Sequence, residues 1–478
     1  MKNSWEGKKI LAYGKKFSVF TSIMLVLLFA FSCSNLIMND GGSLIIAVPG
    51  ARAASASSYT IELKGSNGTP QTKTVAGGNT VQFDDLAPGA YNISVKGKDD
   101  SDLVVLYGMS NATVEAGATA SATVKLGAVA NDLNSLEQAV TAGGIVYIGS
   151  DINVNSTLTV NTDVTLLPLD KAITLKKSGD IELISVTAGK LTVGGNDYTI
   201  TLDGDSSNIT STKNLIKVNG AGSTIYLNRN SVVMNNAGTG VSITGANALN
   251  SGKAFGYLNG GTISNNKSGG VSLSDADFVM NDGLIDGNSG VNGAGVSMNS
   301  TTGIAFIMKG GTISDNQSPG DGGAIYGRQR CSFTMEGGTI KGNSATGNGG
   351  GVYLSNGTFI MNGGTIIDNT VSEDSSLGYG VYFSDGDSGD LKFSGNPVID
   401  KNNNVHYVIR QAIKISGPLT GATQVATITF DDYGSSYLVL EAENGVTLTE
   451  DVVEKFAVTP DTDGKKWTID ASGYLKEQ

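Results

Sequence analysis

The sequence is poor in the residues that most catalytic and metal sites require. Its 478 residues include one His and two Cys, and only 16% are charged. A single His, His406, excludes a multi-histidine metal site and argues against a Ser-His-Asp triad, so we expect it to be structural. The net charge of −12 leaves no basic patch for nucleic acid. Pro is also rare, with 8 residues against 66 Gly, which indicates turn-rich β structure rather than a disordered linker.

A Gly-Gly-Thr-Ile pattern recurs five times between residues 260 and 369, once as Asp-Gly-Leu-Ile. The closing Ile recurs after 22, 28, 27 and 26 residues, and an Asn follows it three residues later. A period in the twenties with strand-forming residues predicts a β-solenoid. We expect the Asn residues to form an internal ladder in which each amide bonds the next. They are Asn266, Asn288, Asn316, Asn343 and Asn369.

Another strand in each repeat carries an apolar residue followed by a Ser or Tyr. Alternation along a strand places the first inward and the second outward. Three outward residues are Tyr326, Tyr353 and Tyr382, one on each of three consecutive coils. Their flat faces and polar tips suit stacking on sugars or on a partner protein. The alternative is that the rings stack on one another and stiffen the sheet.

These elements resemble the right-handed parallel β-helix, the pectate-lyase-like fold, in the form found in repeat-bearing bacterial surface proteins. The resemblance covers residues 235–400 and weakens back to about residue 130. It implies an all-β chain with a right-handed parallel β-helix over residues 129–404, about ten coils long. Residues 405–478 lose the repeat, and we expect final irregular coils and a β cap there.

Two further elements are predicted before the first coil. Residues 132–140 combine an N-capping Asp132 with an apolar helical face and stop at Gly143-Gly144, which is similar to the capping helix of β-helix proteins. Residues 43–128 alternate as half-buried antiparallel strands. The segment 85–91 (Asp-Leu-Ala-Pro-Gly-Ala-Tyr) resembles the prealbumin-like β-sandwich modules of bacterial surface proteins, which implies a stalk domain.

The N-terminus has the features of an export signal. Several Lys precede an apolar core of nine residues, which is too short to span a bilayer. The following Ala-Phe-Ser-Cys33 resembles a lipobox, which implies a signal peptide over 1–32, acylation of Cys33 and a tether over 33–42. The protein would then be a membrane-anchored lipoprotein of the outer membrane or cell surface. The competing prediction is ordinary cleavage at Ala51-Arg52-Ala53. Lipidation would leave Cys331 without a disulfide partner, and we expect it to be a small strand residue.

No residue set in the repeats forms a catalytic motif. Enzymes that resemble this fold use clustered acids, Ca²⁺ held by acids, or an Arg or Lys base. The acids and bases of the repeats do not align at one repeat position; they are Asp286, Asp315, Asp368, Arg328, Arg330 and Lys341. We therefore expect no catalytic site, no metal site and no cofactor. Residues 385–390 leave one alternative open, because their spaced Asp residues suit either Ca²⁺ or a solvated loop.

Three functions fit this sequence. The first is a non-catalytic cell-surface lipoprotein that binds glycans or a host or matrix protein through its β-helix face. The second is a polysaccharide lyase or glycoside hydrolase, which needs two or three acids and a base around a cleft. The third is a structural surface protein without a specific ligand. Unbroken repeats favour the first and third, and the tyrosines favour the first.

Overall fold

The computed structural model describes residues 41–48, 56–66, 68–76, 79–245, 252–299, 303–372, 379–384, 389–408, 411–421 and 424–478. These residues form 43 strands and two helices, so the predicted all-β class is confirmed. The predicted signal peptide and Cys33 lie outside the described residues.

The N-terminal part of the described chain consists of two sheets that share a core. Their strands are β1 (Gly42–Ala47), β2 (Ser58–Gly65), β3 (Gln71–Ala76), β4 (Thr80–Leu86), β5 (Gly89–Lys98), β6 (Val104–Val114) and β7 (Thr119–Thr123). One sheet has the order β4-β1-β7, and the other pairs β3, β2, β5 and β6. Leu44, Phe83, Ile61 and Ile93 meet between them. The β1–β7 pair is parallel, unlike the expected antiparallel strands, because the chain enters β7 from the other sheet rather than through a hairpin.

A helix and a strand close the first coil. Helix α1 (Leu133–Ala142) begins where the Ser135 N–H donates to Asp132 Oδ1 at 2.8 Å, and it ends at Gly143 with φ 79°. The predicted capping helix is therefore confirmed. Strand β8 (Gly127–Ala130) pairs with β6 on one side and with β9 (Gly144–Ile148) of the first coil on the other. The coil edge that would otherwise expose unpaired backbone groups is thus covered.

Beyond α1 the chain forms a parallel β-solenoid of about ten turns with three faces. The first face contains β9, β12 (Val164–Pro168), β15 (Lys190–Val193), β18 (Thr224–Asn228), β25 (Ile304–Met308), β29 (Cys331–Met335) and β40 (Leu440–Ala442). The second contains β10 (Ile152–Val154), β13 (Ile173–Lys177), β16 (Ile200–Asp203), β19 (Ser231–Met234), β26 (Thr312–Ser314) and β30 (Thr339–Lys341). Long strands bend from the first face toward the second: β21 (Ala254–Ser264), β23 (Ala276–Asp286), β33 (Thr358–Ile367), β36 (Leu391–Ile399) and β38 (Ile413–Leu419).

The third face is a separate sheet of twelve strands. They are β11 (Leu158–Val160), β14 (Ile184–Val186), β17 (Ile216–Asn219), β20 (Val241–Thr244), β22 (Val271–Ser274), β24 (Val296–Asn299), β28 (Ile325–Arg328), β32 (Val352–Ser355), β35 (Val381–Ser384), β37 (Val405–Val408), β39 (Ala426–Phe430) and β41 (Phe456–Val458). A short ladder precedes it in three coils: β27 (Gln317–Ser318), β31 (Ser344–Ala345) and β34 (Thr370–Val371). Parallel pairing on the third face continues to Val458, and the short helix α2 (Glu450–Val453) and the antiparallel pair β42 (Trp467–Ile469) and β43 (Leu475–Glu477) complete the C-terminal cap.

Identical side chains stack inside the solenoid. The predicted inward column of the third face is buried throughout: Val241, Val271, Val296, Ile325, Val352 and Val381. On the first face four Phe rings stack with centroids 5.0 to 5.5 Å apart: Phe278, Phe306, Phe333 and Phe359. Like residues pack well here because parallel in-register strands place equivalent atoms one strand spacing apart.

The corner between the second and third faces requires a left-handed residue in each repeat. The residue before each ladder Asn has φ between 54° and 65° in six coils: Asn235, Asn265, Gly287, Asp315, Gly342 and Asp368. Only Gly, Asn and Asp adopt this conformation readily. The left-handed backbone therefore explains why this position holds Asn, Gly or Asp in these six coils.

The Asn side chains that follow these corners form a buried ladder. In each step from Asn266 to Asn369, Nδ2 donates to the next Oδ1 at 2.8 to 2.9 Å, and the backbone N–H donates to the same oxygen at 3.0 Å. The ladder extends beyond the five repeat residues. Asn236 N–H donates to Asn266 Oδ1, and Asn369 Nδ2 donates to Asn403 Oδ1.

A buried lysine lies at the start of this ladder. Lys177 is fully inaccessible, and its Nζ donates to Asn236 Oδ1 at 3.3 Å and to the Lys213 carbonyl at 3.4 Å. Gly204 occupies the coil between Lys177 and Asn236, and a Cβ there would come within 2.4 Å of Asn236 Cα. Burial lowers the pKa of Lys177 below its usual 10.5.

Replacing Asn316 by Ala is expected to destabilise the solenoid by about 3 kcal/mol or more. It removes the acceptor of two buried donors of Asn288, the backbone N–H and Nδ2, and it removes the Nδ2 donor to Asn343 Oδ1, which keeps only its bond from the backbone N–H of residue 316. The matched control is Asn281→Ala, because Asn281 Nδ2 also donates to a neighbouring Asn oxygen, at 2.8 Å, but at the exposed surface. Water can replace that bond, so the control should cost less than about 1 kcal/mol. Urea unfolding followed by circular dichroism measures both, and equal costs would contradict a stabilising internal ladder.

Lys177 should make stability depend on pH at alkaline values. Its folded pKa lies below the unfolded value of 10.5, so between these two values the unfolded chain binds more protons and stability rises with pH. The free energy of unfolding of the wild type minus that of Lys177→Met should therefore increase across this interval, by about 1.4 kcal/mol for each unit of pKa lowering. A difference that stays flat up to pH 10.5 would show that Lys177 is not desolvated.

Candidate ligand-binding face

Four aromatic side chains form a continuous stack on the outer surface of the third face. The rings of Tyr326 and Tyr353 lie 5.2 Å apart, and those of Tyr353 and Tyr382 lie 5.1 Å apart, with interplanar angles of 10° and 4°. His406, the single His of the chain, follows at 5.0 Å and 6°. We call these four residues the tyrosine column.

Mutual stacking determines what the column offers to a ligand. Within the column, the ring faces that point toward a neighbouring ring are covered by that ring. This is the arrangement expected if the rings stack on one another and stiffen the sheet. The ring edges and the hydroxyl groups remain for contacts along the column. Burial raises the pKa of Tyr353 and of Tyr382, so both hydroxyls stay protonated and can donate at neutral pH.

The column ends abruptly on its N-terminal side. The strand before Tyr326 carries Ser297 at the paired position, and the strand before that carries Ser272. This change from ring to hydroxymethyl leaves a groove of about 470 Å³. We call it the serine groove and define it by Lys267, Ser272, Asn292, Ser297, Tyr326 and Arg328. No Asp or Glu lines it in the part of the chain that the structure describes.

A second groove lies at the other end of the column. It has a volume of about 700 Å³, and His406, Lys401, Asp431 and Tyr433 contribute to its walls. Asp461 also lines it and accepts a hydrogen bond from Trp467 Nε1 at 3.0 Å, which lowers the pKa of that carboxyl. This groove therefore carries charges of both signs.

Except for Arg328, which shares β28 and the serine groove with Tyr326, the acids and bases of the repeats lie apart from the column. Asp315 and Asp368 occupy the left-handed corners, and Asp286 accepts a hydrogen bond from the Ser314 hydroxyl at 2.5 Å. Lys341 ends β30 on the second face, whereas Arg328 ends β28 on the third. Arg330 is a turn residue with φ 58°. In the described residues, no group of three or more His, Cys, Asp or Glu is placed to hold a metal ion.

Cys331 is buried and Asp390 is paired with lysines in the described residues, whereas the choice between Ca²⁺ and a solvated loop for residues 385–390 stays open. Cys331 is buried, and burial raises the pKa of its thiol to about 11 despite the neighbouring arginines. Residues 385–388 of the loop lie outside the described residues. Asp390, which follows them, accepts from Lys414 Nζ at 2.8 Å and from Lys392 Nζ at 3.2 Å, and Glu443 binds the same two lysines.

No protein-family model matches the chain, and no curated protein or solved structure shows significant similarity to it. Among the described residues, no helix is long and apolar enough to cross a membrane. Function must therefore be inferred from the residues of the chain itself.

Proposed function

We propose that this protein is a non-catalytic surface lipoprotein that binds a glycan or a host or matrix protein through the third face of its solenoid. The observation that carries the proposal is the tyrosine column. Four rings occupy the outward column of the third face in four successive coils, and a groove lies at each end of this row. The three preceding coils carry Ser242, Ser272 and Ser297 at the same position.

The geometry of the column suits a linear ligand. Three ring spacings of 5.0 to 5.2 Å give a row of about 15 Å along the solenoid axis. Tyr is favoured in recognition surfaces because it offers a large apolar area with little conformational entropy to lose. Stacking restricts the rings further, so a polymer lying along the row would meet an already ordered surface. An enzyme is the weaker candidate, because Asp315 and Asp368 are explained by the backbone of the corners.

The anchor is tested by the substitution Cys33→Ser in the full-length chain. If the lipobox is processed, the wild type expressed in a bacterium that makes lipoproteins should incorporate labelled palmitate and partition into detergent, and the variant should do neither. Cys331→Ser is the matched control, because that thiol is buried and should not be acylated. Equal labelling of wild type and Cys33→Ser would refute the anchor.

Ligand binding is tested by applying the full-length chain in mild detergent to arrays of polysaccharides and matrix proteins. The wild type should be retained by at least one of them, and Tyr353→Ala should weaken that affinity about tenfold, as expected for loss of a central aromatic contact. Tyr257→Ala is the matched control, because Tyr257 stacks on Tyr226 at 4.8 Å on the first face. Retention by no array member would favour the structural surface protein, and release of unsaturated products or reducing ends would identify an enzyme.

A further inference from the structure

A row of apolar side chains runs along the outer surface of the first face. Strands in six successive coils place equivalent outward residues over one another, and five of these six residues are apolar. Each outward side chain is half-buried, whereas its neighbours along the strand point into the core. We call these residues the apolar row: Tyr226, Tyr257, Val279, Ile307, Thr334 and Ile360.

The apolar row is confined to this face and to these coils. Thr192 precedes it and Lys392 follows it at the equivalent position. On the second face, most outward residues of the same coils are Thr, as at Thr312 and Thr339. The fold therefore does not require apolar residues at outward positions. A local apolar row on a surface rich in hydroxyl groups indicates a protein interface.

Exposed charges lie along one edge of the apolar row, where the first face bends toward the second. Asp282, Lys309 and Glu336 occupy this bent edge in three successive coils. Among the described residues, none of the three forms an ion pair. These charges are therefore available to a partner that covers the row.

A second copy of the chain complements this face when it is turned about a twofold axis parallel to the strands. Such an axis reverses the order of the coils and keeps the bent edge of one copy over the bent edge of the other. When the axis lies midway between Val279 and Ile307, these two residues face each other across the interface. Asp282 of each copy then faces Lys309 of the other, so opposite charges meet twice.

A twofold axis along the solenoid fits less well. It would place Asp282 of one copy beside Asp277 of the other, and Asp277 is already paired with Lys253 at 2.8 Å. With the axis parallel to the strands, Glu336 instead faces the neutral Asn259, and no like charges meet along the bent edge. Charge complementarity therefore favours the antiparallel arrangement of the two solenoids.

The size of the apolar row suits a reversible dimer. Six coils at about 4.8 Å and strands of about five residues give a patch of about 29 by 17 Å, or about 500 Å² on each copy. Two such patches together remove about 1,000 Å² from water, which is close to the lower limit for a specific interface. We therefore expect a dissociation constant in the micromolar range.

We propose that the apolar row is the interface of an antiparallel homodimer, in which the first faces of two copies pack together about the twofold axis between Val279 and Ile307. Their outward side chains interdigitate as in two stacked sheets. The proposal does not rest on the proposed function, because the tyrosine column belongs to another face of the solenoid.

The test measures self-association of the full-length Cys33→Ser chain in mild detergent by sedimentation equilibrium, from about 1 to 100 µM. The Ser prevents acyl chains from bringing two copies together. Ile307→Lys should abolish the dimer in this range, because it places a charge at the centre of an apolar interface. Thr312→Lys is the matched control, because it adds the same charge to the second face of the same coil, and it should leave the dimer unchanged.

Charge reversal tests the orientation of the two copies. Asp282→Lys and Lys309→Asp should each raise the dissociation constant about tenfold, because each brings like charges together across the twofold axis. The double variant restores opposite charges, so its dissociation constant should return to within about threefold of the wild-type value.

Thermal unfolding checks that every variant folds. A wild type that stays monomeric at about 100 µM, equal effects of Ile307→Lys and Thr312→Lys, or a double reversal no tighter than the single variants would each overturn the proposal. So would a monomer whose binding to a matrix protein is lost in Ile307→Lys, because another partner would then cover the row. None of these outcomes decides whether the tyrosine column binds a ligand.

Discussion

Hydrogen bonding between successive coils at one strand spacing is the constraint on which the rest of this structure depends. It places each side chain directly over its equivalent in the next coil, so a residue must be compatible with a copy of itself. Val and Phe meet this condition by packing. A buried Asn meets it because its amide donates on one side and accepts on the other, and an unbroken ladder satisfies every member. The ladder therefore needs suitable ends, which Lys177 and Asn403 provide.

Much of the fold could be predicted because the pairing of successive coils favours the same residue types at equivalent positions, so the sequence is periodic. The recurrence of Ile and Asn identifies the coils, and strand alternation identifies inward and outward positions such as Val352 and Tyr353. The capping helix was predictable for local reasons, since Asp132 and Gly143 are strong start and stop signals. These inferences depend only on residues near in sequence or one period apart.

The remaining features depend on coils of unequal length. Asn236 lies 30 residues before Asn266, and Asn403 lies 34 residues after Asn369, so a period in the mid-twenties misses both. Nothing in the sequence around Lys177 predicts that its side chain is buried against Asn236, which lies two coils later. His406 joins the tyrosine column through strand register, although its residue type differs. The two grooves depend on corner geometry, which the sequence pattern does not determine.

The same constraint limits where recognition can occur. A stack of identical rings covers its own faces, so the middle of the tyrosine column offers edges and hydroxyls, and a free ring face exists only where the column changes. That change occurs between Ser297 and Tyr326 on the outer surface, while Val296 and Ile325 continue the inner column without interruption. Because inward and outward residues alternate, the outer step need not disturb the core. A binding groove can thus arise from one small-to-large step in the outer column of a regular solenoid, with no break in the repeats that build the fold.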